Sequence, residues 1–360
     1  MTTSSGMLDT SSLLPKAADV VIVGGGPGGL ACARALASAG AQVLVLERKS
    51  AFGRKVCAGG ITCNGLLRSI PAALLQRSFP VQHLCSPLQR IRVEEKEPIV
   101  ATVSREELGQ WMAAEALKAG AMLHAGVQVL QITDTGLMLR DAAGAVRALQ
   151  CEHIVGADGA RSLVRRALGL PGRYCLGLNA MLPMEREEME WHLAPSLFAS
   201  GYAWIFPHRN CCSVGAFTNA SLISAKILQQ NLSIWAARQG INMNGVALQA
   251  GWVNSAYQGL RFGRRWLVGD AAGLSSALTG EGIYPAVASG EAVAAMIASG
   301  QDSVPGMDFL LKRHAQHRRM AQLAGRGAIV PAVLVELSLL LLRSRVINFH
   351  HLEMAAPKAS

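Results

Sequence analysis

The stretch Val20-Val21-Ile22-Val23-Gly24-Gly25-Gly26-Pro27-Gly28-Gly29 constrains this chain more than any other part of it. A short β-branched apolar run reads as a buried strand of a parallel sheet. It leads straight into Gly24-x-Gly26-x-x-Gly29, and Gly28 to Gly40 then carries Leu30, Ala33 and Ala37 at helical spacing. Gln42 to Leu46 follows as a second strand, ending in Glu47. This β-α-β order is the phosphate-binding corner of a dinucleotide fold. Gly24 permits the tight turn, Gly26 admits a pyrophosphate to the backbone, and Gly29 lets helix and strand pack closely. Pro27 and Gly28 open the helix, whose positive end meets the phosphate charge.

A second segment supplies the other half of a ligand site. Arg264-Arg265-Trp266-Leu267-Val268 is a strand that ends in Gly269-Asp270, and Leu278-Thr279-Gly280-Glu281-Gly282-Ile283 follows it. A carboxylate at a strand end can bond ribose or ribityl hydroxyls. Its recurrence so late in the chain points to one extended dinucleotide, FAD, lying across a single domain. Glu47 is placed to accept hydrogen bonds from the adenosine ribose.

Composition narrows the class. The chain has 360 residues, half of them apolar and 16% charged, enough for a large core and too few charges for a disordered protein. A net charge of +10 favours anionic partners: cofactor phosphates, an acidic substrate or a membrane surface. No zinc finger, RNA-binding signature or aromatic–basic interleaving is present, which argues against nucleic acid. The eight cysteines form no Cys-x-x-Cys pair, so neither zinc nor any other metal is expected. Vicinal Cys211 and Cys212 read as reduced strand residues. Residues 1–16 lack the basic start and apolar stretch of a signal peptide, and a reducing, cytoplasmic setting is expected.

The chain divides into segments of different character. Residues 1–18 form a loose polar tail. Residues 19–75, 101–173 and 260–300 are expected to build a discontinuous Rossmann-like α/β FAD-binding domain of the three-layer, glutathione-reductase type. Within it, Ser104 caps a helix to Ala119, with Glu107 three positions on. Asp141-Ala142-Ala143-Gly144 marks a hairpin, and Glu281 to Ala298 reads as a small-residue helix. Residues 76–100 and 174–259 read as an inserted, mainly β substrate domain with an amphipathic segment near 222–239. Residues 301–360 form a basic helical region containing the apolar run Ala328 to Leu342. That run is too short and interrupted to span a bilayer. A basic, apolar helix pair could instead rest on an anionic membrane or cap the domain.

Taken together, Gly24–Gly29, Arg105 in Ser104-Arg105-Glu106-Glu107-Leu108, Gly156-Ala157-Asp158-Gly159-Ala160-Arg161-Ser162 and Gly269-Asp270 resemble the p-hydroxybenzoate hydroxylase-type flavoproteins. Three further segments resemble the geranylgeranyl reductase branch: Lys55-Val56-Cys57-Ala58-Gly59-Gly60-Ile61, Tyr202-Ala203-Trp204-Ile205-Phe206-Pro207 and Thr279-Gly280-Glu281-Gly282-Ile283-Tyr284. The resemblance implies that Arg48, Arg54, Lys55, Arg105 and Val129 neighbour the cofactor. Arg105 would lie near its phosphates or ribityl chain, and Asp158 and Gly159 would shape a turn beside it. Gly280, Glu281, Gly282 and Ile283 would bring backbone N–H groups to the isoalloxazine ring. Glu281 itself could be only a helix N-terminal acid. Cys57 matches a cysteine near the active face of the flavin, where it could donate a proton or line the site, and Lys55 or Arg54 could lower its pKa. Tyr202, Trp204 and Phe206 alternate as on a strand, either walling an apolar cavity or packing on neighbours. His208 stands where the branch usually has lysine.

The expected function is an FAD-dependent oxidoreductase that reduces a double bond of an apolar small-molecule or lipid substrate, isoprenoid or polyketide-like, by flavin hydride transfer. Cys57, Tyr202 and Trp204 are the candidate catalytic residues. The alternative is an FAD-dependent monooxygenase that hydroxylates an aromatic substrate through a flavin hydroperoxide. A non-catalytic electron relay is the reading outside enzymology. No second glycine fingerprint marks a nicotinamide domain, so NAD(P)H in transient contact or an external reductant is the expected electron donor.

Overall fold

The computed structural model describes residues 14–303, 306–327 and 329–356. Residues 1–13 of the expected tail, Ala328 of the apolar run and residues 357–360 lie outside the described residues. The first strand, β1 (Ala17–Val23), begins inside the expected tail of residues 1–18, because Ala17 and Ala18 pair with Gln150 and Cys151.

β1 lies in an eight-stranded sheet. β2 (Val43–Glu47) and β8 (Met122–Ala125) extend it on one side, while β11 (Val146–Gly156) and β18 (Arg265–Leu267) extend it on the other, all in parallel. The short β17 (Arg261–Phe262) closes that edge. β11 is long enough to serve twice. Its first half pairs antiparallel with β10 (Gly136–Arg140), and β9 (Gln128–Ile132) adds to that ribbon. Asp141 makes the β10–β11 turn, its Oδ1 accepting from the N–H groups of Ala143 and Ala145. The second half of β11 runs beside β1 and becomes buried over its last three residues, 154–156.

Helices cover the parallel sheet. α1 (Pro27–Ser38) starts with proline in its first turn, where a missing N–H costs nothing. It packs on α7 (Ile283–Ser299) so closely that a Cβ on Gly290 would sit 2.2 Å from the Gly28 carbonyl oxygen. α2 (Arg105–Lys118) is capped by Ser104, whose hydroxyl accepts from the Glu107 N–H at 3.3 Å. Two short helices, α3 (Leu163–Ala167) and α6 (Gly269–Ala272), follow the ends of β11 and β18.

The second sheet is seven-stranded: β16 (Gln249–Asn254), β12 (Tyr174–Leu182), β15 (Cys212–Asn219), β14 (Tyr202–Pro207), β13 (Glu190–His192), β5 (Val81–Cys85) and β6 (Arg90–Glu94). Side chains alternate across it. Ala203 and Ile205 face a core closed by α5 (Ala225–Arg238) and α4 (Pro195–Phe198), whereas Trp204 and Phe206 join a cluster on the opposite face. A three-stranded sheet of β3 (Gly60–Thr62), β7 (Val100–Val103) and β4 (Leu75–Phe79) links the two. Cys212 is a reduced strand residue on β15, while reduced Cys211 lies in the bend before it.

The C-terminal region is α8 (Met307–Leu323), α9 (Ile329–Arg343) and a 3-10 turn at Phe349–Leu352 that returns to the interior. Leu339, Leu342 and Phe349 complete the cluster around Trp204. No helix among the described residues is long and apolar enough to cross a membrane.

Candidate FAD and substrate site

Three distant motifs meet because their strands are in register. Val23 lies beside Gly156, and Gly156 beside Leu267. The Ala157 N–H donates to the Val23 carbonyl at 2.8 Å, and the Val268 N–H to the Gly156 carbonyl at 3.0 Å. Gly24, Asp158 and Gly269 therefore leave the sheet at one edge, the carboxyl ends of parallel strands, where open α/β sheets bind ligands. A cavity of about 1050 Å³ runs from this edge past Cys57 to the Trp204 face of the second sheet and α9. Every cofactor residue expected from the sequence lines it except Gly29.

Gly29 serves packing instead: a Cβ there would lie 2.2 Å from the Gly24 carbonyl oxygen. Gly24 has φ +107°, and a Cβ on it would lie 2.5 Å from the Ala157 oxygen. Gly26 is different. The nearest atom to its Cβ position is 3.8 Å away, so a side chain there would project into the cavity. Arg105 lines the same region, with Nε and Nη1 buried and without a hydrogen-bond partner among the described residues. An unpaired buried guanidinium is costly, and a phosphate would satisfy it. At the far end, α7 starts behind Gly282 with no side-chain cap, so its positive end is free to meet negative charge on a reduced flavin. The open glycine, the orphaned arginine and the uncapped helix form a donor set that fits FAD.

The acidic residues are more committed than the sequence suggests. Glu47 Oε2 accepts from the Gly25 N–H at 2.8 Å and Oε1 from the Lys49 N–H at 2.9 Å, so the carboxylate first fixes its own turn. Asp158 Oδ2 accepts from the Leu163 N–H at 2.6 Å, while Oδ1 is buried without a partner among the described residues. Asp270 bonds Lys55 Nζ at 2.8 Å and the Ser275 hydroxyl. Arg54 pairs with Glu106 at 3.0 Å. Both basic residues offered by the sequence as partners of Cys57 are thus held by carboxylates.

The substrate end is built by strand parity and by the returning C-terminus. Tyr202, Trp204 and Phe206 all line the cavity. The Tyr202 hydroxyl donates to the Thr279 carbonyl at 2.6 Å, and Trp204 Nε1 donates to Ser213 Oγ at 2.9 Å. Trp191 packs edge-on against Phe206, ring centres 4.6 Å apart. Burial, followed by the nearby Cys57 and Glu281, pushes the Tyr202 phenol upward, so it stays protonated. His208 is buried, which lowers its pKa and keeps it neutral. Its Nε2 donates to the Ala58 carbonyl at 2.9 Å, and its Nδ1 lies 2.8 Å from Gln76 Oε1. A Cβ on Gly59 would lie 2.6 Å from the same ring. In place of a lysine charge, this chain uses a neutral imidazole to pin the Cys57 loop.

Glu281 precedes the first helical residue, Ile283, so it is not a residue of the helix as the sequence reading had it. Its carboxylate accepts from the Met354 N–H at 3.1 Å and from the Thr62 hydroxyl at 3.4 Å. Burial, reinforced by the nearby Glu353, outweighs these bonds and raises its pKa from 4.5 to about 7. Glu353 is fully buried, accepting from the Asn64 N–H at 3.1 Å and pairing with His350 at 2.6 Å. Sequence reasoning missed Thr62, Asn64, His350 and Glu353, since nothing local marks residues that meet only when the C-terminus folds back.

A stability test follows from Glu281. Its folded value lies above its unfolded one, so stability is complete below about pH 4.5 and falls as pH rises toward 7, by at most about 3 kcal/mol. Glu281→Gln retains one acceptor oxygen for one of the two contacts and removes the titration. Denaturant unfolding at pH 5 and pH 8 is expected to show the variant gaining on the wild type at the higher pH. An equal difference at both pH values would refute the assignment.

Comparison with known proteins agrees with this geometry. Residues 17–192 match the family model described as FAD binding domain. The geranylgeranyl diphosphate reductase of Rhodobacter capsulatus is 29% identical over 305 residues, covering 79% of this chain and 76% of that protein. The digeranylgeranylglycerophospholipid reductase 1 of Methanopyrus kandleri is 29% identical over 304 residues, covering 76% and 78%. In fold, the solved geranylgeranyl bacteriochlorophyll reductase-like protein of Thermoplasma acidophilum matches with a TM-score of 0.80 at 22% identity, covering 93% of each chain. In sequence the chain is similar to the geranylgeranyl reductase branch of the FAD-dependent oxidoreductases, and in fold to a solved protein of that likeness.

Proposed function

We propose that this oxidoreductase saturates a carbon–carbon double bond in a long apolar substrate of the isoprenoid type. One observation carries the reading: the cavity that begins at the FAD motifs continues without a break into an apolar chamber walled by β14 and α9. Leu334, Val335, Leu339, Leu342 and Phe349 line that chamber. Such a lining suits a hydrocarbon chain. The names of the relatives, reductases of geranylgeranyl compounds, support the same class.

FAD, when bound and reduced, supplies hydride chemistry. The chain's own residues have three tasks. Trp204, Phe206 and the α9 side chains bind the substrate and exclude water. Thr279, held by Tyr202, fixes the loop before α7. Reduction also needs a proton at the second carbon of the double bond. Glu281 is the group that can hold that proton near neutral pH, and Cys57 is the alternative donor on the same cavity. The electron donor that reduces FAD is proposed to be NAD(P)H in passing contact or another external reductant.

The test uses holoprotein reduced with dithionite under strict exclusion of oxygen. Addition of a geranylgeranyl-chain lipid is expected to restore the oxidised flavin spectrum and yield a product heavier by two hydrogens. Flavin that stays reduced without oxygen, yet with oxygen hydroxylates an aromatic compound, would replace this reading with the monooxygenase.

A further inference from the structure

We propose that the outer face of α9 is a membrane-docking surface for anionic bilayers, through which the apolar chamber is loaded. α9 carries apolar residues on two sides. Val335, Leu339 and Leu342 face the chamber. Ile329, Val330, Val333, Leu337 and Leu340 fall within an arc of about 100° on the other side. They are exposed by 41% to 77%. A contiguous apolar stripe of this kind on a helix already packed by its inner face is uncommon on a protein that meets only water.

One acid, Glu336, lies beside this arc, and its carboxylate is turned away. It accepts from the Ser86 hydroxyl at 2.9 Å, the Leu88 N–H at 3.2 Å and the Gln89 amide at 2.8 Å. This ties the β5–β6 turn to α9 and brings Leu88, itself 82% exposed, to the margin of the stripe. Near the α8–α9 turn, Met320, Leu323 and Leu222 are also exposed, and a Cβ on Gly325 would touch Leu222.

Charge selects the occupant. Arg318 and Arg319 on α8, Arg326 in the turn, Arg343 at the end of α9 and Arg345 just past it are all exposed. Among the described residues none of them lies within ion-pair distance of a carboxylate. An apolar stripe flanked by free arginines at both ends matches an interfacial helix, with the stripe in the acyl boundary and the guanidinium groups among anionic headgroups. Met320, Leu323, Ala324, Pro331 and Leu334 of this helix pair line the cavity. A lipid chain could therefore pass between the helices without crossing water. The loading role rests on the proposed apolar substrate; the docking does not.

The experiment is cosedimentation of FAD-loaded protein with vesicles of phosphatidylcholine alone or mixed with phosphatidylglycerol. Binding is expected to be at least about tenfold stronger to the anionic vesicles and to weaken with added salt. Val333→Glu with Leu337→Glu, two residues outside the cavity lining, is expected to reduce binding at least about tenfold with the flavin spectrum unchanged. Should that pair fail to fold, Arg326→Gln with Arg343→Gln and Arg345→Gln must abolish the preference for anionic vesicles. Wild-type protein that stays in solution with both vesicles overturns the proposal, as does a variant that sediments like wild type. A lipid-free dimer by light scattering that the Val333→Glu, Leu337→Glu pair dissociates would assign the stripe to a second copy instead. Vesicle binding without alkene reduction would refute the proposed activity and leave the docking intact.

Discussion

Valine at position 26 will give a folded, colourless protein. Gly26 has φ −80° and ψ 178°, extended backbone open to any residue, and its Cβ position meets no protein atom closer than 3.8 Å. The fold therefore does not need glycine there; the cofactor does. A side chain would occupy the space between the α1 N-terminus and Arg105 where the pyrophosphate is proposed to lie. FAD affinity is expected to drop at least about 100-fold, roughly 3 kcal/mol, while thermal unfolding followed by circular dichroism stays close to wild type. Gly29→Ala is the contrasting variant. Its Cβ would meet the Gly24 carbonyl at 2.2 Å, so the strand–helix contact itself must open, at about 1–3 kcal/mol of stability. A Gly26→Val protein that purifies yellow would show that the cofactor does not cross this turn.

Arg165→Met is expected to be the most destabilising single change away from the cofactor. Arg165 is 2% exposed. Nε and Nη2 donate to the Pro171 carbonyl at 3.0 and 2.6 Å, Nη1 to Ala271 at 3.0 Å, and Nη2 to Ala256 at 2.5 Å. One guanidinium thus ties the helix after β11 to α6, which carries Asp270, and to the chain leaving β16. Burial disfavours its charge, and no ion pair offsets this among the described residues. Removing it orphans three carbonyls in the interior. The expected loss is about 3–5 kcal/mol, against the roughly 5–15 kcal/mol that holds a typical protein folded. Arg165→Lys should rescue little, because an ammonium cannot reach three carbonyls in a fork geometry. Denaturant unfolding is the measurement; a loss under about 1 kcal/mol would show that water replaces these bonds.

Much of the scaffold was legible in the residues because it follows from local rules. The β-branched run before Gly24 had to be a buried strand, and Ser104 had to cap a helix. Asp141 to Gly144 had to turn a hairpin. Alternation at Tyr202, Trp204 and Phe206 put all three on one face once that stretch became β14. The same rules were silent about partners. Lys55 and Arg54 read as neighbours of Cys57, yet Asp270 and Glu106 hold them. His208 read only as a missing lysine, and it pins the Cys57 loop through the Ala58 carbonyl. Arg165 lies three residues past the Gly156–Ser162 motif, and nothing in its spacing revealed that it would collect four bonds.

By itself the sequence determined a βαβ corner, a late Gly-Asp strand end and the faces of the strands, because backbone geometry and periodic burial act over a few residues. Tertiary structure decided which charges are spent and which are left over. Burial holds the Glu281 carboxyl near neutrality, and Glu353, 72 positions away, adds to that only because the C-terminus folds back. Arg105 became a phosphate-seeking group because the fold buries its Nε and Nη1 without giving them a partner among the described residues. Electrostatics depends on distance and on loss of water, and neither exists until distant segments meet.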